Sequence, residues 1–251
     1  VKPLCEPVIV APIEQVTARG GVLTLDEPIR VIELDLAYAR AYGITGSPRD
    51  TVHVAREVLG GADFLAAGVN VGENTSIQNI LVSGTVGAAF EAALFGMPAV
   101  AISANVEAFE AFLNAEYASF VKTVAREVVK FMVEEGLPKG VEVLNVNIPS
   151  SPTKLVRVVP PARLRWIERL DKRIDPRGKP YYWLYGEAAQ PEPGTDSYVV
   201  FVEGGIAITP LSLSLGGVSA AALDELVEGL VKALEKDLNR PTEVGFDASK
   251  R

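Results

Sequence analysis

Residues 63–74 read DFLAAGVNVGEN, residues 83–96 read SGTVGAAFEAALFG and residues 99–103 read AVAIS. The first and last of these segments contain short apolar runs, which are typical of strands buried on both faces of a parallel sheet. Residues 85–95 predict a helix that Gly96 ends, with a proline two residues beyond. Strand, loop, helix and strand in this order predict a βαβ unit, and therefore an α/β protein.

The rest of the chain extends this pattern on both sides. We predict buried strands at 8–12 and 141–148, β-rich segments at 22–25 and 29–34, helices at about 50–59 and 106–135, a hairpin of 198–202 with 206–209, and a final amphipathic helix at 219–238. After residue 150, Pro, Arg and aromatic residues become frequent. We therefore divide the chain into a core at 1–150 and a C-terminal extension at 151–251.

The composition limits which classes of function are open. The chain has 251 residues, a net charge of −8 and one cysteine, Cys5. An acidic chain is a poor match for the nucleic-acid backbone, which needs clustered Lys and Arg, but it does not exclude a small phosphorylated substrate. A single cysteine excludes an internal disulfide framework and fits a cytoplasmic location.

Residues 82–104 approach the composition of a membrane span, with Glu91 as their single charge. Three glycines and Pro98 divide this stretch into a helix and a strand, so we expect no membrane segment there. The chain begins with Val1, and no basic region followed by an apolar run opens it. We therefore expect no secretory signal in it.

Polar residues follow the predicted strands at the edge where α/β sheets bind ligands. Asn70 ends the strand at 63–70, and its amide oxygen is a hard ligand suited to Mg²⁺ or Mn²⁺. Ser83, Gly84 and Thr85 open the following helix. Free N–H groups, two hydroxyls and the positive end of the helix dipole would form an anion pocket there. Ordinary helix capping explains the same residues equally well.

Two further segments are weaker candidates. Thr17 and Arg19, in the loop after the first strand, offer a hydroxyl and a guanidinium for a phosphate, although a surface loop without function is the simpler interpretation. Asp50 fits a helix cap. His53, the single histidine of the chain, has no evident partner in the sequence.

Taken together, the motifs resemble the SurE family of 5′/3′-nucleotidases. GVNVGEN at 68–74, SGTVGAAFE at 83–91 and GMPAVAIS at 96–103 are similar to the family patterns SGIN-x-G-x-N, YSGTV-x-AA-x-E and G-x-PA-x-A-x-S. Further family segments match in the correct order: VIVAP at 8–12, TGSPRDTV at 45–52, LNVNIP at 144–149, DPRGKPYYW at 175–183 and TDSYVVFVEGGIAITPL at 195–211. Ordered matches over nearly the whole chain are far more specific than any single motif.

The resemblance implies a Rossmann-like three-layer αβα fold with a mostly parallel sheet. It also implies a C-terminal extension, with a β-hairpin and a terminal helix, that serves a homodimer or homotetramer. The implied activity is that of a metal-dependent phosphomonoesterase that hydrolyses nucleoside monophosphates with Mg²⁺ or Mn²⁺. By motif position, Asn70 and Thr17 would hold the metal, with Thr17 in place of the family's serine. The Ser83-Gly84-Thr85 motif would hold the phosphate, and Asn74 would bind the substrate.

One family feature is absent, because no adjacent Asp-Asp pair occurs in the chain. In the family this pair lies in a TNDDG segment before VIVAP, so we expect it upstream of Val1, together with a central strand and helix. Asn70 and Thr17 are neutral ligands, so we expect the chain by itself to hold a dication weakly and to be weakly active or inactive.

Two other interpretations stay open. A non-catalytic nucleotide-binding or scaffold homologue is consistent with the absent Asp-Asp pair. An unrelated dinucleotide-binding enzyme is disfavoured, because no G-x-G-x-x-G follows a predicted strand.

Overall fold

The computed structural model describes residues 4–214 and 223–238. The chain forms two compact units, Val1–Leu213 and Ser214–Arg251. The strands of the first unit are β1 (Val8–Pro12), β2 (Val31–Leu36), β3 (Ala39–Ile44), β4 (Leu65–Val71), β5 (Ala99–Ala104), β6 (Val143–Ile148), β7 (Val156–Val158), β8 (Trp166–Ile174), β9 (Pro180–Ala188) and β10 (Ile206–Leu211). Its helices are α1 (Asp50–Leu59), α2 (Ser76–Val82), α3 (Gly84–Leu94), α4 (Ala115–Glu134) and α5 (Asp196–Phe201), with a 3₁₀ turn at Phe109–Leu113.

The main sheet has five strands in the order β4-β5-β6-β10-β7. The pairs β4/β5, β5/β6 and β10/β7 run parallel, whereas β10 runs antiparallel to β6. Every residue of β5 is buried, as expected for a parallel strand covered on both faces. The predicted α/β class and the mostly parallel sheet are confirmed.

Helices cover both faces of this sheet. Ala101 of β5 faces a core that α3 builds with Val86 and Ala89. Ile102, the next residue of β5, faces the opposite core, which includes Val121 of α4. Because α3 is rich in Ala and Gly, its backbone approaches the sheet closely. The three-layer αβα arrangement is therefore present.

A second, three-stranded sheet has the order β1-β3-β2, with β1 parallel and β2 antiparallel to β3. Among the described residues, β1 pairs with β3 alone and β4 pairs with β5 alone. Each of these two strands therefore leaves one edge without a strand partner. Ala66 and Gly68 of β4 are exposed.

The hairpin predicted at residues 198–202 and 206–209 is wrong. Residues 198–201 lie in α5, and the chain continues through Gly204-Gly205 into β10. The apolar pattern that favoured a strand equally suits a short helix, which here packs Val199 and Val200 against Ala207. β10 pairs with β6 and β7 instead of turning back on residues 198–202.

A hairpin does occur in the extension, between β8 and β9, which pair antiparallel along nine residues each. We refer to residues 166–188 as the arm. Nearly all side chains of its two strands are exposed. A two-stranded ribbon is only marginally stable without further packing, so the arm is a candidate contact surface.

The division of the chain at residue 150 does not coincide with the boundary between the compact units. β7 and β10 follow residue 150, yet both belong to the main sheet, and the first unit extends to Leu213. The assembly role assigned to 151–251 stays a prediction.

The second unit contains α6 (Asp224–Leu238), which shares its end with the predicted terminal helix. The predicted start at 219–222 lies outside the described residues. Leu226, Leu230 and Leu234 of α6 are exposed, and they recur at the spacing of one helix face.

No single helix within residues 4–214 and 223–238 has the length and apolarity needed to cross a membrane. α2 and α3 meet that test only when taken together, and the pair is bent by 73°. The cytoplasmic location stays a prediction.

Candidate active site

A capped helix start lies between α2 and α3. Ser83 precedes α3, and its Oγ accepts a hydrogen bond from the N–H of Val86 at 3.1 Å. Helix capping, one of the two interpretations of this motif, is therefore present. The first N–H groups of a helix, here those of Gly84 and Thr85, have no partner within it and lie at the positive end of its dipole. Capping by Ser83 is therefore compatible with anion binding.

The βαβ connection puts this helix start at the same edge of the sheet as Asn70. Because β4 and β5 run parallel, the connecting helix α3 runs antiparallel to both, and its first residues lie at the carboxyl ends of the strands. Asn70 is near the carboxyl end of β4, where its Nδ2 donates to the carbonyl of Gly72 at 2.9 Å. None of the described residues donates to its Oδ1. That oxygen is free to meet a ligand.

The loop that carries Thr17 is in contact with the same helix. The N–H of Gly20 donates to the carbonyl of Val82 at 2.8 Å. A Cβ placed on Gly87 would lie 2.3 Å from the carbonyl oxygen of Gly20, so the two backbones can approach only because Gly87 has no side chain. Thr17 is exposed, and the adjacent Ala18 has a left-handed φ of 55°. The loop thus packs on α2 and α3 through Gly20.

A partly buried cluster of Arg49, Glu91 and His53 links this loop to α1 and α3. Arg49 Nε donates to the carbonyl of Gly20 at 2.7 Å, and its Nη1 lies 3.0 Å from Glu91 Oε2. Glu91 Oε1 is 3.0 Å from Nε2 of His53, which supplies the partner that the sequence did not reveal. A carboxylate in an apolar helix must be paired. Glu91 was therefore the signal that could have pointed to this cluster.

Asp50 is the first residue of α1 and follows the N-cap Arg49, so the capping role expected of Asp50 is wrong. Its carboxylate secures the preceding segment instead: Oδ2 accepts from the N–H of Ser47 at 2.7 Å while the N–H of Asp50 donates to Ser47 Oγ at 3.2 Å, the reciprocal pair of a capping box in which Ser47 has the capping position. The hydroxyl of Thr24 donates to the same carboxylate at 2.6 Å. Burial by itself would raise the pKa of Asp50, but the hydrogen bonds from Thr24 and Ser47 together lower it below its usual value.

Asn74 lies inside the protein and not on the rim. Its N–H donates to Asn147 Oδ1 at 2.7 Å, its Nδ2 donates to Ser103 Oγ at 2.7 Å, and its carbonyl accepts from Asn145 Nδ2 at 2.8 Å. These bonds tie the loop after β4 to β5 and β6. They give Asn74 a role in holding the loop, and its contact with substrate stays a prediction.

Asp196 anchors the start of α2 from α5. Its carboxylate accepts hydrogen bonds from the N–H groups of Ser76 at 2.9 Å, Ala162 at 2.8 Å and Ser197 at 2.6 Å. Burial raises the pKa of Asp196 in spite of these bonds. The TDSY motif at 195–198 therefore holds the start of α2 in place, a role that its sequence alone did not show.

The described residues do not by themselves complete a metal site. Within residues 4–214 and 223–238, no three side chains of His, Cys, Asp or Glu are grouped so that they could hold a metal ion. Asn70 and Thr17 supply neutral oxygens, whereas hard dications depend on anionic ones. A firmly held Mg²⁺ or Mn²⁺ needs an anionic ligand beyond these two residues.

Comparisons of the sequence with a family profile and with individual proteins all point to the same family. The sequence profile of the family described as "Survival protein SurE" matches residues 2–168. The chain is 43% identical over 241 residues to a 5′-nucleotidase SurE of Thermofilum pendens, covering 96% of this chain and 92% of that protein. It is 42% identical over 236 residues to a 5′-nucleotidase SurE of Pyrobaculum arsenaticum, covering 90% and 89%.

The fold agrees with a solved structure as well. The crystal structure of the SurE protein from Aquifex aeolicus matches with a TM-score of 0.69 and 31% identity, over 88% of this chain and 87% of that one. The profile match spans more than half of the chain, and both relatives are similar over nearly all of it. This chain belongs to the SurE family.

Proposed function

We propose that this protein is a phosphomonoesterase that hydrolyses nucleoside monophosphates. The observation that carries the proposal is the start of α3, where the Ser83-Gly84-Thr85 motif lies at the carboxyl edge of the sheet. A helix start of this kind binds phosphate through its free N–H groups and its dipole. The relatives from T. pendens and P. arsenaticum are named 5′-nucleotidases, which supports a nucleotide as substrate.

Each motif residue has a distinct task in this proposal. The N–H groups of Gly84 and Thr85 and the hydroxyl of Thr85 bind phosphate oxygens and stabilise the charge that they carry in the transition state. Ser83 caps the helix through its oxygen and keeps its O–H free to donate. Asn70 presents an oxygen near the carboxyl end of β4, and Thr17 presents one from the loop that packs on α3 through Gly20.

Metal dependence is part of the proposal. A divalent cation, Mg²⁺ or Mn²⁺, supplies positive charge to the phosphate when bound. We place the anionic ligands that it needs on an Asp-Asp segment upstream of Val1. Among the described residues, β1 and β4 each have one edge without a strand partner. These edges support this placement, since each offers backbone N–H and C=O groups to a further strand.

The test is to express the protein with the natural codons that precede Val1 and to measure phosphate release from 5′- and 3′-nucleoside monophosphates. We expect release with Mn²⁺ or Mg²⁺ and none after chelation with EDTA. Absence of release from all of these substrates with either metal would refute the proposal.

A non-catalytic nucleotide-binding or scaffold homologue is the second candidate. It is favoured by the lack of a carboxylate cluster within the described residues. Such a protein would bind a nucleotide at the start of α3 without turnover. Calorimetric titration with AMP, run beside the hydrolysis assay, separates the two candidates, because binding without phosphate release indicates the scaffold.

We also propose that the arm serves a homodimer or homotetramer. Its cross-strand pairs give it two different faces, one with Leu170 opposite Leu184 and the other with Asp171 opposite Trp183. Leu170 and Leu184 are 64% and 66% exposed, so the first face is apolar and uncovered. A second copy of the chain would cover it.

A further inference from the structure

The loop after Asn70 is organised around one buried carboxylate, that of Glu73. Its side chain is 8% exposed. Its Oε2 accepts hydrogen bonds from the N–H of Thr75 at 2.6 Å and from the Thr75 hydroxyl at 2.7 Å. Its Oε1 accepts from Asn79 Nδ2 at 3.1 Å and from Arg165 Nε at 3.2 Å. Arg165 is therefore the cation that compensates this buried charge.

Arg165 is the residue immediately before the arm, and its guanidinium is fixed on both sides. It lies 4.2 Å from the ring centroid of Trp166, the first residue of β8, and 3.9 Å from that of Phe201 in α5. The side chain of Arg165 is 11% exposed. Two aromatic rings therefore hold the plane of the guanidinium while its Nε reaches Glu73.

A second contact joins α2 to the beginning of the arm. Gln78 Oε1 accepts hydrogen bonds from the N–H groups of Arg165 at 3.0 Å and Trp166 at 2.9 Å. Its Nε2 donates to Glu168 Oε1 at 3.1 Å. Arg165 and Gln78 thus link the arm to the segment that follows Asn70, through a carboxylate on one side and an amide on the other.

We propose that Arg165 is a positioning residue that couples the arm to the loop bearing Asn70. The arm is exposed along both strands, so a force on it reaches the rest of the unit through the residues where it begins. Displacement of the arm there would release Glu73 and loosen residues 70–75. Contact of the arm with a second copy would hold the loop in place. The structural coupling between the arm and the loop does not depend on the proposed function. Only its effect on turnover rests on that function.

Amide hydrogen exchange tests the coupling without reference to activity. In Arg165→Met we expect the amides of residues 72–75 to exchange about tenfold faster or more, because their local opening becomes easier. Gln78→Ala is the second variant, since it loosens the start of the arm without leaving a buried charge unpaired. Arg169→Met is the matched control, because Arg169 makes an exposed ion pair with Glu187 at 3.0 Å within the same arm.

The pattern of exchange decides the outcome. Faster exchange confined to 72–79 and the start of the arm in Arg165→Met and Gln78→Ala, with Arg169→Met unchanged, supports the coupling. Unchanged exchange at 72–75 in both variants overturns it. Acceleration spread evenly over all helices and strands also overturns it, because it indicates general destabilisation.

Kinetics separate positioning from mere stability in the protein with its natural upstream segment. We expect Arg165→Met to raise the Mn²⁺ activation constant about tenfold or more, as for other residues that orient metal ligands, with kcat nearly restored at saturating Mn²⁺. Arg165→Lys, which keeps the charge, should recover part of the effect. A fall in kcat with no change in the Mn²⁺ constant contradicts the role. If the unaltered protein releases no phosphate, the proposed function fails, and the exchange data still decide the coupling.

Discussion

At the scale of residues, Asp50 predicts a defined acid sensitivity. Its pKa is lowered because the hydrogen bonds from Thr24 and Ser47 outweigh the effect of burial. A carboxyl group whose folded pKa lies below its unfolded value of about 3.9 contributes stability above that value and loses it as pH falls through the folded pKa. We expect Asp50→Asn to lower the free energy of unfolding at pH 7 by about 1–3 kcal/mol.

Urea unfolding at pH 7 and at pH 3 checks this prediction. The difference between Asp50→Asn and the unaltered protein should narrow at pH 3, which lies below the unfolded pKa, because the unfolded chain then binds a proton at Asp50 more readily than the folded protein does. A difference of equal size at both pH values would show that the charge of Asp50 makes no contribution.

Replacing Gly87 by alanine should change stability in the direction opposite to that of most such substitutions in helices. Replacing an exposed helical glycine by alanine usually stabilises a protein by about 0.5–1 kcal/mol. At Gly87 the new Cβ would lie 2.3 Å from the carbonyl of Gly20, so we expect Gly87→Ala to destabilise by about 1–3 kcal/mol and to displace the Thr17 loop. Gly229→Ala in α6 is the control, because, apart from its chain neighbours and its own helix backbone, no atom of the described residues lies within 4 Å of the added Cβ. Thermal unfolding should separate the two variants, and a stabilised Gly87→Ala would refute the close contact.

At the scale of elements, the start of α3 has a capping role and a proposed binding role that two substitutions separate. Ser83→Ala removes the cap on Val86 and should cost about 1 kcal/mol of stability as well as activity. Thr85→Val keeps the shape of the side chain. Because the Thr85 hydroxyl caps no N–H group of the described residues, we expect stability within about 0.5 kcal/mol of the original. Its phosphate release should still fall about tenfold or more, through the loss of a hydroxyl that binds phosphate. Full activity of Thr85→Val would remove Thr85 from the proposed site.

The same scale shows which parts of the fold are predictable from sequence. In the unit from β4 to β5, both strands and α3 were predictable because each apolar run is bounded by local signals such as Gly96 and Pro98. The helix α2 was not, since it lies where a loop was expected. Residues 198–201 were not, because a short apolar run fits a strand or a helix. Here the Asp196 carboxylate at the start of α5 is held by N–H groups 34 and 120 positions away, which no local pattern contains.

The candidate site likewise contains residues that could be predicted from the sequence and residues that could not. The Ser83 motif was predictable because a helix start after a strand is a local feature. The pairs Arg49–Glu91 and Glu73–Arg165 join residues 42 and 92 positions apart, and in the sequence each member is an ordinary charged residue. Their importance comes from burial, which only the packed structure reveals.

At the scale of the whole molecule, the two faces of the arm predict which surface supports assembly. Leu170 and Leu184 oppose each other on the apolar face, whereas Tyr181 lies opposite Arg173 on the other. In Leu170→Asp a carboxylate would have to be buried without a partner wherever a second copy covers the apolar face. We therefore expect the dissociation constant of self-association to rise about a hundredfold. This change corresponds to the few kcal/mol that an unpaired charge costs in an interface.

Tyr181→Asp is the control, because it adds the same charge to the opposite face, beside Arg173. Sedimentation velocity over a range of concentrations should show a dimer or tetramer for the unaltered protein and for Tyr181→Asp, and a monomer for Leu170→Asp. Equal weakening by both substitutions would mean that the arm is enclosed on both faces. Unchanged assembly in Leu170→Asp would mean that the copies contact each other elsewhere. Another partner would then have to stabilise the arm, because a two-stranded ribbon exposed on both faces has too little packing of its own.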